Sequence, residues 1–264
     1  MKFSAWVPAI SLALLAAAQP AAAVTREEAT VQNSMVVLRE LQGMPDLQIP
    51  DLLLSRAEGI VILPANVKVG LIFGARFGNG VLIVRGPDRS WSHPVFVTTG
   101  GGSWGFQAGG QVSDVVLVLT TKRSIEGITD GKLTLGADAS VAAGPVGRTA
   151  MAGTSLTFDS EVYAYSRSKG LFAGVSLEGN GIFISRKANR RFYDGEESAA
   201  TILARKGNAP APADELIAEI TRLTSGAGER VAAQEAEPAA GAPARPVEPK
   251  TYPLPDQESR PEPR

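Results

Sequence analysis

Gly101-Gly102-Ser103-Trp104-Gly105 matches G-x-S-x-G, the elbow that presents a nucleophilic serine in acyl-transfer enzymes. Such a serine needs a histidine to take its proton and a carboxylate to orient that histidine. The chain has one histidine, His93, and it precedes the serine instead of following it. Asp88, His93 and Ser103 share one hairpin-sized segment with no scaffold to converge them, so the string reads as a glycine-rich sheet turn. Residues 74–80, GARFGNG, lack the G-x-G-x-x-G spacing of a phosphate loop, and no helix pattern follows. Asn79-Gly80 is instead the signature of a two-residue hairpin turn. Gly131-Lys132 lacks the Ser/Thr of a Walker loop. One histidine and no cysteine leave only carboxylates for a metal, and Asp114, Asp138 and Glu178 stand alone, outside any calcium-loop spacing. The expectation is no catalysis, no metal and no cofactor.

The cations carry more information. Arg167 and Lys169 flank a glycine turn in the run YAYSRSKGLFAGVSLEG at 163–179. Arg186, Lys187, Arg190 and Arg191 follow an apolar segment, with Phe192-Tyr193 next. If 171–177 and 182–185 form a hairpin through 179–181, both clusters lie at one end of it. Cations beside aromatic and aliphatic groups suit an anionic membrane surface, where each Lys or Arg adds about 1 kcal/mol. The bland alternative is a solvated rim of sheet ends. Leu171 and Phe172 are candidates for insertion or, as strand residues, for the core.

The elements that must position these groups follow from periodicity. Residues 25–42 have a helical stripe of Val31, Met35, Leu38 and Leu41 behind a Thr25/Glu28 capping box, ended by Gly43 and Pro45. A shorter helix covers 52–57 after Pro50. From 59 to 185 the texture changes to short apolar runs split by glycine. Strands are expected at 60–63, 69–77, 81–85, 95–99, 115–121, 132–135, 162–166, 171–177 and 182–185. Turns fall at 86–90 and 130–131, and a single helical turn at 124–128. Acids at its start, Arg205 and Lys206 at its end and Gly207 beyond predict a helix over 194–206. A last short helix spans 214–223. The sum is an α+β fold: a mostly antiparallel, curved, barrel- or sandwich-like sheet with two N-terminal helices and a C-terminal helix.

Composition sets the compartment and the partners. Residues 1–23 read as a signal peptide, with Lys2 before an apolar run at 7–18 too short to span a bilayer comfortably and small-residue cleavage sites after it. The expected location is periplasmic or secreted, with a peripheral position on a membrane as an option. With no cysteine there is no disulfide and no lipid attached at one. Net charge is −1, but it divides: residues 60–206 hold 16 Lys/Arg against 11 Asp/Glu, or +5, while 1–59 sum to −2 and 207–264 to −4. That excess fits an anionic partner and is too small for a nucleic-acid binder. Residues 207–224 form a helical extension, and 225–264, with 8 of the 18 prolines in these last 40 residues, read as a disordered Pro/Ala/Glu-rich tail. Pro243, Pro246 and Pro249 are spaced either as a spacer or as a Pro-rich ligand.

Several long landmarks in order resemble the SYLF domain family: AEGIVILP (57–64), VGLIFGARFGNGVLIVR (69–85), WSHPVFVTTGGGSWGFQAGGQVSDVVLVL (91–119), GKLTLGADASVAAGPVGR (131–148), YSRSKGLFAGVSLEG (165–179) and ANRRFYDGEE (188–197). The resemblance covers about 52–206, placing the domain at 24–206. It implies a non-enzymatic domain that binds membrane lipids, phosphoinositides in eukaryotic members, some of which also bind actin. Here the expectation is binding of anionic phospholipid or phosphoinositide-like head groups through Arg167, Lys169, Arg186, Lys187, Arg190 and Arg191. An exported chain does not meet actin, and no particular protein partner is implied. The alternative is an envelope scaffold for a protein or glycan.

Overall fold

The computed structural model describes residues 24–45, 47–70, 73–104, 109–145, 159–169, 179–195 and 198–236. Helix α1 (Arg26–Gln42) opens on the expected capping box: the Glu28 amide donates to Thr25 Oγ1 at 3.1 Å and the Thr25 amide to Glu28 Oε2 at 2.7 Å. Val31, Leu38 and Leu41 are buried from its inner stripe, and Met35 packs against them. Helix α2 (Asp51–Arg56) starts after Pro50, whose fixed φ suits a helix entry.

Eight strands follow among the described residues: β1 (Gly59–Gly70), β2 (Phe73–Val84), β3 (Val95–Trp104), β4 (Gly109–Leu119), β5 (Lys132–Thr134), β6 (Val141–Ala143), β7 (Val162–Lys169) and β8 (Gly181–Ile184). They form one curled half-barrel sheet in the order β5-β8-β3-β2-β1-β4-β7-β6, antiparallel except for β6 beside β7. Both faces are buried, which is why the runs IVIL and VVLVL are apolar without alternation. Ile60, Ile62, Val116 and Val118 enter a core under α1, α2 and the C-terminal helix. Their neighbours Val61, Leu63, Val115 and Leu117 enter a second core on the opposite face, closed by Ile125 and Ile128 of α3 (Lys122–Thr129). The chain is thus α+β with the expected mostly antiparallel, curved sheet.

Several boundaries differ from expectation, each for a local reason. Asn79-Gly80 is not a turn: β2 runs straight through it, and neither residue has the positive φ that a type I′ turn requires. The glycines serve close approach instead. Strand β1 bulges between Ile62 and Val67, with Ala65 at φ 53° and its amide held by Asp114 Oδ1 at 3.0 Å. A Cβ on Gly80 would lie 2.0 Å from the Ile62 carbonyl oxygen. Strand β8 has β3 on one edge and β5 on the other along Gly181–Phe183, which leaves no edge there for a hairpin with 171–177. That segment, with Leu171 and Phe172, lies outside the described residues. Of the helix expected over 194–206, the described residues form only α5 (Ala199–Ala204); an unexpected helix, α4 (Arg186–Phe192), precedes it, and Asp194, whose φ of 50° stops a helix, stands between them.

The C-terminal helix α6 (Ala211–Ala236) is longer than expected at both ends. It buries Leu216, Ile220 and Ala227 against α1 and α2, and this packing carries it past Ser225 despite the weak local signal. Trp91, beyond the 86–90 turn, donates Nε1 to Thr224 Oγ1 at 3.0 Å and anchors the helix to the sheet.

Candidate functional site

The serine–histidine arrangement dissolves in the fold. Ser103 lies near the end of β3 opposite Gly74, while His93 precedes the start of that strand. The eight residue steps from Val95 to Ser103 span roughly 26 Å at about 3.3 Å each. His93 is buried with Nε2 at 3.0 Å from the Gly207 carbonyl oxygen. Asp88 accepts from Ser90 Oγ at 2.6 Å and pairs with Lys206 Nζ at 2.9 Å. Those bonds, the Ser90 hydroxyl first, hold its carboxyl well below the usual carboxylate range. Asp88 is a turn residue. Among the described residues no three His, Cys, Asp or Glu side chains gather where a metal could sit.

The six cations separate into two places. Arg167, on β7, pairs with Asp114 at 2.6 Å and with Glu40 of α1. It is largely buried, and the hydrogen bonds it donates to Glu40 first and then to Asp114 raise its pKa further. Its charge is satisfied inside the fold. Lys169 ends β7 opposite Val112; its side chain lies outside the described ones. The other four share α4.

Helix α4 segregates its residues sharply. At 100° per residue, Arg186, Arg190, Lys187 and Arg191 fall within an arc of about 140°. Ala188, Asn189 and Phe192 occupy the remaining side and turn inward. Asn189 is fully buried and accepts the Phe96 amide at 2.8 Å; Phe192 packs edge-on against Phe96 at 5.1 Å. All four cations of the outer arc are exposed, and the helix holds no acid. Arg191 reaches sideways to Glu27 of α1, donating Nε at 2.8 Å and Nη2 to the same oxygen. Arg186 and Lys187 form no ion pair among the described residues.

A second group of cations was not singled out by sequence. Arg85, Arg89 and Lys122 line a cleft of about 460 Å³ with Glu58 and Glu126. Arg85 is buried under α2, where it donates to the carbonyls of Ser55 at 3.2 Å and Leu54 at 3.4 Å and lies 4.5 Å from the Trp91 ring centre. The readable signal is strand parity: Arg85 falls in phase with the core residues Val81 and Ile83, so alternation turns it inward.

Residues 100–223 match the family described as Ysc84, Las17-binding protein actin regulator. Protein YSC84 of Saccharomyces cerevisiae is 38% identical over 196 residues, covering 73% of this chain and 42% of that protein. LAS seventeen-binding protein 3 of the same yeast is 38% identical over 195 residues, covering 73% and 42%. The human SH3 domain-containing YSC84-like protein 1 is 36% identical over 224 residues, covering 82% and 65%. The matched region is thus only part of each of these longer proteins. The chain belongs to the SYLF (Ysc84) domain family.

Proposed function

We propose that this domain docks without catalysis onto anionic membrane lipid head groups, phospholipid or phosphoinositide-like, through α4. The observation that carries this reading is the helix itself: four cations on one arc, no acid among them, and an inner side locked by Asn189 and Phe192. A rigid cationic ridge meets a surface without first being ordered, so less entropy is lost on contact. At about 1 kcal/mol per cation near an anionic leaflet, Arg186 and Lys187, which form no ion pair among the described residues, together supply about 2 kcal/mol before salt screening. Arg167 is excluded from the contact set because Glu40 and Asp114 already hold it. With the apolar, Lys2-led segment at 1–23 read as an export signal, the membrane met is an envelope membrane. No described helix is long and apolar enough to cross a membrane.

Co-sedimentation tests the reading. The full chain should pellet with vesicles containing anionic lipid and remain soluble with neutral ones, and added salt should release it. Arg186→Glu with Lys187→Glu should abolish pelleting while leaving the melting temperature near that of the parent. Equal pelleting on both vesicle types, or no change in the double variant, overturns it.

A protein partner is the second reading, favoured by the names of the matching family and of the yeast relative, both of which specify Las17 binding. Crosslinking in intact cells that recovers one protein through α4, with no vesicle binding, selects it.

A further inference from the structure

We propose that the cleft between the β2 end and helix α3 is a binding site for a phosphate-class oxyanion, held by Arg85, Arg89 and Lys122. It shares no residue with α4 and does not rest on the docking reading.

The cleft is assembled by three neighbouring segments. Arg85 continues β2 and bonds its amide to the Glu58 carbonyl at 2.8 Å, just ahead of β1. The turn that follows closes with the Gly86 amide on the Ser90 carbonyl at 2.8 Å. It places Arg89 at φ 64°, a left-handed conformation that glycine or asparagine adopts at lower cost. The turn alone therefore gives no reason for an arginine there. The third wall is the first turn of α3, where Lys122 follows the Thr121 cap and where no acid opposes the amides.

Arg85 is the observation that points to a ligand. Its side chain is only 7% exposed, yet no carboxylate pairs with it among the described residues. Its Nη groups make two long bonds to backbone carbonyls, and its Nε is buried with no acceptor among the described residues. Burial first, and then the nearby Arg89 charge, push its pKa down to about 10; Glu58 offsets this only in part. A guanidinium so placed is costly to keep charged, and a bound oxyanion removes the cost. Arg89 also has donors to spare, since it spends one on the Ser55 carbonyl at 2.8 Å. Two guanidinium groups and an ammonium around one cleft match the three oxygens of a phosphate better than the two of a carboxylate. Glu58 and Glu126 also line the cleft, so the three cations leave a net charge of +1 there to attract the anion.

The phosphate can be free or carried by a lipid, and the experiment separates these. Inorganic phosphate and glycerol phosphate are titrated into the full chain at constant ionic strength, following the Trp91 indole N–H and the Arg85 Nε–H by NMR. The expected result is saturable shifts of both signals, with affinity reduced at least tenfold in Arg89→Ala and in Lys122→Ala. Both side chains are exposed, so both variants should fold, whereas an Arg85 variant tests the fold as much as the site. Equal shifts with chloride, or unchanged affinity in both variants, overturn the proposal. Loss of pelleting on phosphatidic acid vesicles in these variants, with α4 intact, assigns the phosphate to a lipid; unaltered pelleting with weakened phosphate binding assigns it to a soluble ester. If the α4 charge-reversal variant loses vesicle binding but keeps phosphate binding, the two sites stand separately.

Discussion

Arg167 and Arg191 bind opposite ends of the same helix. Arg167 meets Glu40 in the last turn of α1, and Arg191 meets Glu27 in the first. Thirteen residue steps of helix, about 20 Å, separate the two acids. In sheet order β7, which carries Arg167, and β8, which precedes the helix of Arg191, are separated by β4, β1, β2 and β3. Two arginines that look alike in sequence therefore brace α1 across the sheet, one at each end, and only the second belongs to an exposed basic surface.

Replacing Arg167 with Leu should accordingly act on stability and not on docking. The substitution leaves Glu40 and Asp114 without their cation, and Asp114 also holds the Ala65 amide in the β1 bulge. For a pair between the exposed and fully buried limits, the cost should be about 1–3 kcal/mol in a urea titration. Vesicle pelleting should be unchanged. A loss of pelleting without a loss of stability would return Arg167 to the contact surface.

Gly80→Ala should destabilise far more than Gly100→Ala, although both glycines sit in strands. A Cβ at Gly80 meets the Ile62 carbonyl oxygen at 2.0 Å, and a backbone oxygen in the ladder cannot step aside. A Cβ at Gly100 finds only the Phe183 ring edge at 4.0 Å. The expected costs are about 3 kcal/mol for the first and within about 0.5 kcal/mol of zero for the second. Thermal melts of the two variants decide it, and equal melting temperatures would show that the bulge yields.

These glycines mark where the sequence was legible and where it was not. Thr25 and Glu28 announced α1, and the 86–90 turn was readable from Gly86, Pro87 and Asp88, because capping and turn chemistry are local. Asn79-Gly80 misled because the same dipeptide serves a hairpin turn or a close strand approach, and only the position of Ile62 on the neighbouring strand selects between them. Helix α4 was missed in favour of a later one because its inward side, Ala188, Asn189 and Phe192, has a single large apolar residue. Its burial comes from Asn189 bonding the β3 backbone, a contact 93 residues distant in sequence. Four of the six expected contact residues came together for a local reason, being one helix. Arg167 did not join them, since its partners are set by tertiary packing.

Thr224→Val should loosen α6 by about 1–3 kcal/mol while conserving volume. The exchange removes the acceptor of the buried Trp91 Nε1–H and leaves that donor unsatisfied. Thr224 also donates to the Ile220 carbonyl at 2.8 Å, a bond whose loss is nearly neutral because that carbonyl keeps its helical partner. Hydrogen exchange should accelerate in α6 ahead of the central strands. Uniform acceleration would mean that the helix and sheet unfold as a single unit.

The acid limb of stability should depend on Glu219. Its side chain, on the inner side of α6, accepts from Arg222 at 2.7 Å and from Arg39 of α1 at 3.3 Å. The Arg222 bond is the largest cause and the Arg39 bond a lesser one; together they outweigh burial and depress its pKa below the ordinary 4.5. As pH falls, the unfolded chain therefore takes up a proton at this carboxyl before the folded chain does, and folding loses ground. The contribution is fully present above about pH 4.5 and disappears as pH drops through the folded value. Glu219→Gln should be less stable than the parent at neutral pH, and the gap should narrow steadily below pH 4.5 in denaturant titrations. A gap that stays constant into acid would show that the residue acts through packing alone, and that the link between α1 and α6 is not electrostatic.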